Sequence, residues 1–334
     1  MLILITGATG FLGRRVASIF ARSFPGQIRC LVRPGTSLAG LKEACGDQFE
    51  RLQIVQGTLL SNSDCCEIVQ DADLVVHLAS GTSGSPADYF LNSSVATRNL
   101  IQAMSGQKPK LLHCSSFSVY SCATLPKGNV VDENTGMEMM PEKRDIYAQS
   151  KIHQEKLVVD MCRTIGINYS IIRPGVIYGP GGSAISPRVG LKLFGRFLHL
   201  GRNTLVPLTF VDNCADAFRV VAENCTFNGD IFNVVDDELV TSKQFLSLYR
   251  KSVGNLKSIP VPYWALYLIS AACEKYHTYS EGQLPDIFTR YKTRSLWRGF
   301  RYSNMKLKNL GWTPAVNTKE GLIRHFKYLS ERQI

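Results

Sequence analysis

The sequence predicts an α/β protein built on a doubly wound parallel sheet, with a smaller, discontinuous C-terminal lobe. Three observations carry this. The chain opens on an uncharged apolar run, Leu2 to Ile5, which stops in glycines and then turns helical, as a buried central strand feeding a helix does. Short apolar runs then alternate with helical patterns at Ile28–Val32, Leu52–Val55, Leu74–Leu78 and Leu111–Cys114. A late run, Ile231–Val235, reads as a strand that returns to the sheet, so a first domain over residues 1–180 is followed by a lobe over 181–334 from which about 230–236 rejoins the sheet.

The first strand leads into Thr6, Gly7, Ala8, Thr9, Gly10, Phe11, Leu12 and Gly13. Gly7 permits a tight turn, Gly10 a close approach of a pyrophosphate to the backbone, and Gly13 a close packing of helix on strand. The N–H groups at the helix start and the helix dipole favour an anion there, so Gly7, Thr9, Gly10, Phe11, Leu12 and Gly13 are the candidate dinucleotide cradle. The spacing is GxxGxxG rather than GxGxxG, and by itself it also suits an ordinary strand–helix turn.

The second strand ends at Arg33, followed by Pro34 and Gly35. An acidic residue here would suit the ribose 2′-hydroxyl of NAD, whereas an arginine suits the 2′-phosphate of NADP, so NADP is weakly preferred over NAD. The third strand ends at Gly57, Thr58 and Leu59, and the fourth at Leu78, Ala79, Ser80 and Gly81. Small residues at these carboxyl ends leave room for a ligand. A helix is expected over Asn92–Met104. The fifth strand runs into Ser115, Ser116, Phe117, Ser118, Val119 and Tyr120, and a helix begins near Tyr147 and runs to about Thr164. Tyr147 and Lys151 stand four apart and share one face of it. The sixth strand, Ser170–Ile172, leads into Arg173-Pro174-Gly175-Val176-Ile177-Tyr178-Gly179-Pro180.

The totals narrow the class of protein. The chain has 334 residues and a formal charge of +11. From Ile287 onward eleven Lys or Arg face two Glu, a net +9, while the residues before it hold 27 against 25, a net +2. A basic tail suits an acidic substrate or a membrane surface as well as a solvated face, and with no nucleic-acid module visible, nucleic acid is the weakest partner. Ten cysteines without CxxC spacing read as thiols in a cytosol. The apolar N-terminus lacks a basic n-region and is read as a strand rather than a signal peptide. The stretch Ile259–Cys273 is apolar but too short to span a bilayer, and two prolines interrupt its start. It is expected to be a buried helix lining a substrate pocket, with an interfacial membrane helix as the second reading. No metal cluster is expected.

In order, TGATGFLG, SSFSVY, YAQSK and RPGVIYGPG resemble the extended short-chain dehydrogenase/reductases, the NAD-dependent epimerase/dehydratase family, and LGWTP at Leu310–Pro314 is similar to that family's C-terminal signature. The resemblance covers nearly the whole chain and implies a Rossmann-type sheet, an NAD(P) cofactor, and roles for particular residues. Tyr147 would be the general acid/base, Lys151 would favour its phenolate and hold the nicotinamide ribose, and Ser116 would hydrogen-bond the substrate oxygen. Pro174 and Val176 would pack against the nicotinamide, and Thr58, Leu59, Leu78, Ala79 and Ser80 would line the cofactor crevice.

Departures from the family pattern are informative. Gly57-Thr58-Leu59 replaces a frequent Gly-Asp-Leu, which changes the adenine contact. Ser93 stands where the family has a helix asparagine. Phe117 and Ser118 replace the Asp and Glu of the 4,6-dehydratases, and Val206 stands where sugar-nucleotide epimerases often carry a diphosphate-binding arginine, although Arg202 is near. With Arg33 and the apolar stretch, the pattern leans toward the 3β-hydroxysteroid dehydrogenase-like and dihydroflavonol reductase-like branches. The expected activity is hydride transfer between nicotinamide and a secondary alcohol or ketone of an apolar or lipid-linked small molecule. The alternatives are a nucleotide-sugar epimerase and a non-catalytic cofactor-sensing or scaffold relative; a homodimer and a peripheral membrane contact are left open.

Overall fold

The apolar runs form one sheet. In the computed structural model, which describes residues 1–193, 195–281, 283 and 288–332, β1 (Leu2–Thr6) is buried at every position. It leads through α1 (Gly13–Ser23) to β2 (Gln27–Val32), and then to α2 (Ala39–Cys45), β3 (Leu52–Gln56), α3 (Asn62–Val69) and β4 (Leu74–His77). The next helix starts earlier than Asn92. Ser85 and Asp88 form a capping box with Pro86 in the first turn, so α4 (Pro86–Phe90) runs through a π turn, Leu91–Val95, into α5 (Ala96–Ala103). After β5 (Lys110–Cys114) and the short β6 (Val130–Val131) comes α6 (Ile146–Ile165). Asp145 caps it by accepting from the Ala148 N–H at 3.0 Å, and Gly166 closes it in the left-handed region.

From there β7 (Tyr169–Pro174), β8 (Val176–Tyr178), β9 (Gly190–Leu193), β10 (Arg196–His199), β11 (Leu208–Phe210), α7 (Val211–Asn224) and β12 (Asn228–Val234) follow. The chain ends in α8 (Ser242–Ser252), β13 (Ser258–Pro260), α9 (Tyr263–Tyr279), α10 (Arg290–Trp297), β14 (Arg301–Tyr302), α11 (Met305–Asn309) and α12 (Thr318–Glu331).

The main sheet has the order β3-β2-β1-β4-β5-β7-β12, with every pair parallel. Winding runs outward from β1 in both directions, so the carboxyl ends of β1 and β4 frame the crevice where ligands bind in such sheets. Alternate residues of β1 serve the two faces. Ile3 and Ile5 pack with Val16, Phe20, Phe218 and Trp312, under α1 and α7. Leu2 and Leu4 pack with Ile68, Leu100 and Val158, under α3, α5 and α6. Helix α7 lies inside the stretch 181–229 expected to form the lobe, yet it covers the main sheet beside α1. Trp312 of the LGWTP stretch is fully buried against it and donates its indole N–H to the Asn213 carbonyl at 3.2 Å.

The smaller unit packs Val189, Val206, Phe245, Tyr249 and Phe326 into a second core, beside the three-stranded sheet β13-β10-β9. Its α9 corrects the expectation of a buried helix. Only Leu266 and Ser270 of α9 are buried, while Trp264, Leu268 and Ile269 are 68%, 61% and 46% exposed. One face of α9 is taken by α10 and its neighbours: Leu266 packs with Trp297 and Leu200, and the Ser270 and Thr293 hydroxyls bond at 2.8 Å. Trp264, Leu268 and Ile269 lie off that face and turn outward.

Candidate active site

The site is built at the carboxyl ends of β1, β4, β5 and β7. Gly7 holds φ +73°, and a Cβ there would lie 2.9 Å from the Ala79 N–H nitrogen. The turn after β1 is thereby pressed against Leu78 and Ala79, and the Ala79 N–H points to Thr6 Oγ1 at 3.4 Å. A Cβ on Gly13 would collide with the Gly7 carbonyl, so α1 leaves directly from the turn. Gly10 is exposed at its tip, where a Cβ would meet only the Gly7 carbonyl and otherwise open space. At the start of α1 the Arg14 N–H donates to the Gly10 carbonyl at 3.1 Å, and the Arg15 and Val16 N–H groups both donate to the Leu12 carbonyl at 3.0 Å. Beside them Arg14 Nε is buried with no partner, and the Arg14 guanidinium lies against Gly40 and Gly181. An open glycine cradle at a helix N-terminus with an unsatisfied guanidinium fits the pyrophosphate and ribose end of a dinucleotide.

Arg33 is exposed just past β2. Thr58 lies at the end of β3, and its N–H donates to Asp64 Oδ2 at 2.8 Å. Asp64 is thus held at the loop where the family's usual aspartate is missing, a contact invisible in the local motif. Its carboxyl is held below the usual carboxylate range by hydrogen bonds from Ser61 and Thr58. The Leu59 carbonyl accepts from Asn99 Nδ2 at 2.9 Å, which ties this loop to α5.

Ser116 follows β5 and begins a tight turn, its hydroxyl accepting from the Ser118 N–H at 3.2 Å. Tyr147 lies in the first turn of α6, half-buried, with the Ser116 hydroxyl as its hydrogen-bond neighbour. Burial pushes the Tyr147 phenol up to about 12, against the lowering effect of Ser116. Lys151, one turn on, is buried; its Nζ donates to the Cys114 carbonyl at 2.8 Å and to Gln154 Oε1 at 2.9 Å. Desolvation lowers its pKa, while Cys114 and Glu155 raise it. The expected Ser116, Tyr147 and Lys151 therefore converge on one end of β5. Pro174 ends β7 and Val176 begins β8, with the Gly175 N–H between them donating to Val234 O at 3.0 Å.

Of the neighbours, Gln154, Thr97 and His77 were not singled out by sequence reasoning, whereas Ser93 was. Gln154 Nε2 donates to the Ala79 carbonyl at 3.1 Å and to Thr97 Oγ1 at 2.9 Å. Thr97 meets His77 Nε2 at 2.8 Å, and His77 Nδ1 meets Thr6 Oγ1 at 2.7 Å. One buried polar chain thus ties Lys151 to the first strand. Ser93, at the asparagine position, sits in the π turn and takes the Ser150 hydroxyl at 2.8 Å and the Gly81 N–H at 3.0 Å. It serves as a structural acceptor that ties the loop after β4 and helix α6 to the π turn.

The arrangement can hold a substrate oxygen between Ser116 and Tyr147, beside an anion-binding turn. Residues 3–234 match the family model described as NAD dependent epimerase/dehydratase family. The chain belongs to this family. Among its relatives is a 2-alkyl-3-oxoalkanoate reductase of Shewanella oneidensis, 27% identical over 96% of this chain and 84% of that protein. Another is a decarboxylating sterol-4-alpha-carboxylate 3-dehydrogenase of Saccharomyces cerevisiae, 25% identical over 98% of both chains. A solved UDP-glucuronic acid 4-epimerase from Bacillus cereus, in complex with NAD, superposes with a TM-score of 0.74 at 19% identity over 100% of both chains, a likeness of fold. The chain is an enzyme of the epimerase/dehydratase family, with oxidoreductases, dehydratases and epimerases among its relatives. Among the described residues no helix is long and apolar enough to cross a membrane.

Proposed function

We propose that this family member is an NAD(P)-dependent oxidoreductase acting on a secondary alcohol or ketone of a mostly apolar molecule. The observation that carries the reading is the convergence of Ser116, Tyr147 and Lys151 beside the glycine cradle. The cofactor, when bound, supplies the hydride acceptor or donor. In reduction the Tyr147 phenol gives its proton to the oxygen as the carbonyl becomes an alcohol; in oxidation it takes the hydroxyl proton. Ser116 steadies that oxygen, and the Lys151 charge favours the phenolate. The exposed Arg33 and the unsatisfied Arg14 support NADP as the preferred cofactor.

Val206 is fully buried in the second core and Arg202 is exposed, which weighs against a diphosphate slot and so against the epimerase reading. The two relatives also share a chemistry in their names: each acts at a carbon β to a carboxylate on an apolar skeleton. The apolar face of α9 adds a peripheral contact with an anionic membrane surface, from which such a substrate would come. Lys275 lies on that exposed face beside Leu268 and Tyr276, and the adjoining cleft holds Lys143, Arg290 and Arg294 together with Glu142 and Glu274, the last paired with Arg290. All ten cysteines are thiols, which supports a cytosolic setting.

A screen tests this. Net reduction of NADP or NAD by hydrophobic secondary alcohols supports the reading. Interconversion of sugar nucleotides without net redox contradicts it. Co-sedimentation with phosphatidylserine vesicles, lost on Trp264→Ser with Leu268→Ser, tests the membrane contact; binding that survives both changes removes α9 from it.

A further inference from the structure

Three arginines stand around the turn that carries Ser116, and their surroundings differ. Arg173 lies with its guanidinium over the Tyr120 ring at 4.6 Å and is paired with Glu155, Nε to Oε2 at 3.1 Å. Arg144 Nη1 donates to Glu138 Oε2 at 3.2 Å. Both pairs are buried, so each of these cations is neutralised within the fold. Arg188 is not. It is half-buried, and among the described residues its guanidinium makes one hydrogen bond, Nη1 to the Tyr302 hydroxyl at 3.3 Å, and no ion pair. The Tyr302 ring lies 5.7 Å from the Phe117 ring, and Phe117 adjoins Ser116. The charge is felt in this corner, where it lowers the pKa of the Tyr302 phenol and the Cys122 thiol against the upward push of burial.

A cation drawn partly out of water costs free energy unless an anion meets it. Here two arginines have their carboxylates built in and the third has none. Its planar fork matches a carboxylate in two parallel hydrogen bonds. Through Tyr302 and Phe117 it is anchored one aromatic layer from the serine that receives the reacting oxygen.

We propose that Arg188 binds a carboxylate that the substrate carries close to its alcohol or ketone carbon, with Tyr302 holding the guanidinium in place. This rests on the oxidoreductase reading and narrows it to 3-hydroxy and 3-oxo carboxylates. Arg188 takes no part in bond making. It fixes the acid end so that the carbinol oxygen falls between Ser116 and Tyr147, and it discriminates against neutral analogues by leaving their site with an unpaired cation.

The test uses the full chain with NAD and with NADP, following cofactor reduction by 3-hydroxydecanoate and by its methyl ester. The parent should favour the acid over the ester by about tenfold or more in kcat/KM, and Arg188→Gln should bring that ratio to about two or below. Arg188→Lys should hold an intermediate ratio, because it keeps the charge and loses the fork. Should the Gln protein fail to fold by circular dichroism, Tyr302→Phe serves in its place, with the ratio expected to fall about threefold. A parent without preference for the acid, or a folded variant that keeps the full ratio, overturns the proposal while leaving the oxidoreductase reading in place. Absence of cofactor reduction by the acid, the ester and every other hydrophobic secondary alcohol overturns both.

Discussion

Lys151 Nζ donates to Gln154 Oε1 at 2.9 Å, three residues further along the same helix, and Gln154 hands its own amide hydrogens to Ala79 and Thr97. Lys151, proposed to be catalytic, is thus held by a side chain that also grips the end of β4. Replacing Gln154 by Leu leaves the Ala79 carbonyl and the Thr97 hydroxyl short of a donor and frees Lys151 on one side. We expect a loss of about 1–3 kcal/mol in stability, measured by urea unfolding, and a fall of about tenfold in kcat. Unchanged kcat in the folded variant would show that Cys114 alone positions the lysine.

Arg33 stands exposed just past the end of β2. Arg33→Asp should weaken NADP by about tenfold more than NAD, read by fluorescence titration of each cofactor. Equal affinities for the two cofactors in the parent protein would end the NADP preference.

His77 and His113 are fully buried at neighbouring register positions of β4 and β5, their rings 5.5 Å apart. Burial, and then the charge of Lys151, lowers His77 from 6.5 to about 3, and the same causes place His113 well below its ordinary value. A depressed folded-state pKa means that the unfolded chain binds more protons below pH 6.5. The stability these groups contribute is complete above about 6.5 and is lost as pH falls toward about 3, with a slope of at most roughly 1.4 kcal/mol per pH step for each histidine. Unfolding free energies measured across that window should fall with acid, and His77→Gln should flatten the slope. A slope that is the same in the variant would assign the acid sensitivity to other groups.

The glycine turn, the sheet and the proximity of Tyr147 to Lys151 were legible in the sequence because each is local: strand, turn and helix follow one another within a few residues, and Tyr147 and Lys151 stand one helical turn apart. What was not legible is made by distance. Arg188 meets Tyr302 across 114 positions, and Gln154 meets Ala79 across 75, pairings that only the packed sheet creates. Asp64 accepts from the Thr58 N–H six residues away, a contact that the motif at Gly57 to Leu59 does not reveal. The exposure of α9 was hidden for a different reason. The first half of α9 is apolar on nearly every side, so no periodicity says which face is inward, and the packing of Leu266 and Ser270 on α10 decides it.

Tyr147 is proposed to move the proton during net hydride transfer. The most direct measurement compares parent and Tyr147→Phe for NADP and NAD reduction by hydrophobic secondary alcohols, with cofactor affinity titrated in parallel. With the phenol pushed up to about 12 by burial, the parent's oxidation rate should rise with pH as the phenolate forms. Tyr147→Phe should lose about 10²–10⁴-fold in turnover while still binding cofactor. A loss of only a few-fold, with the alkaline rise preserved, would contradict the account.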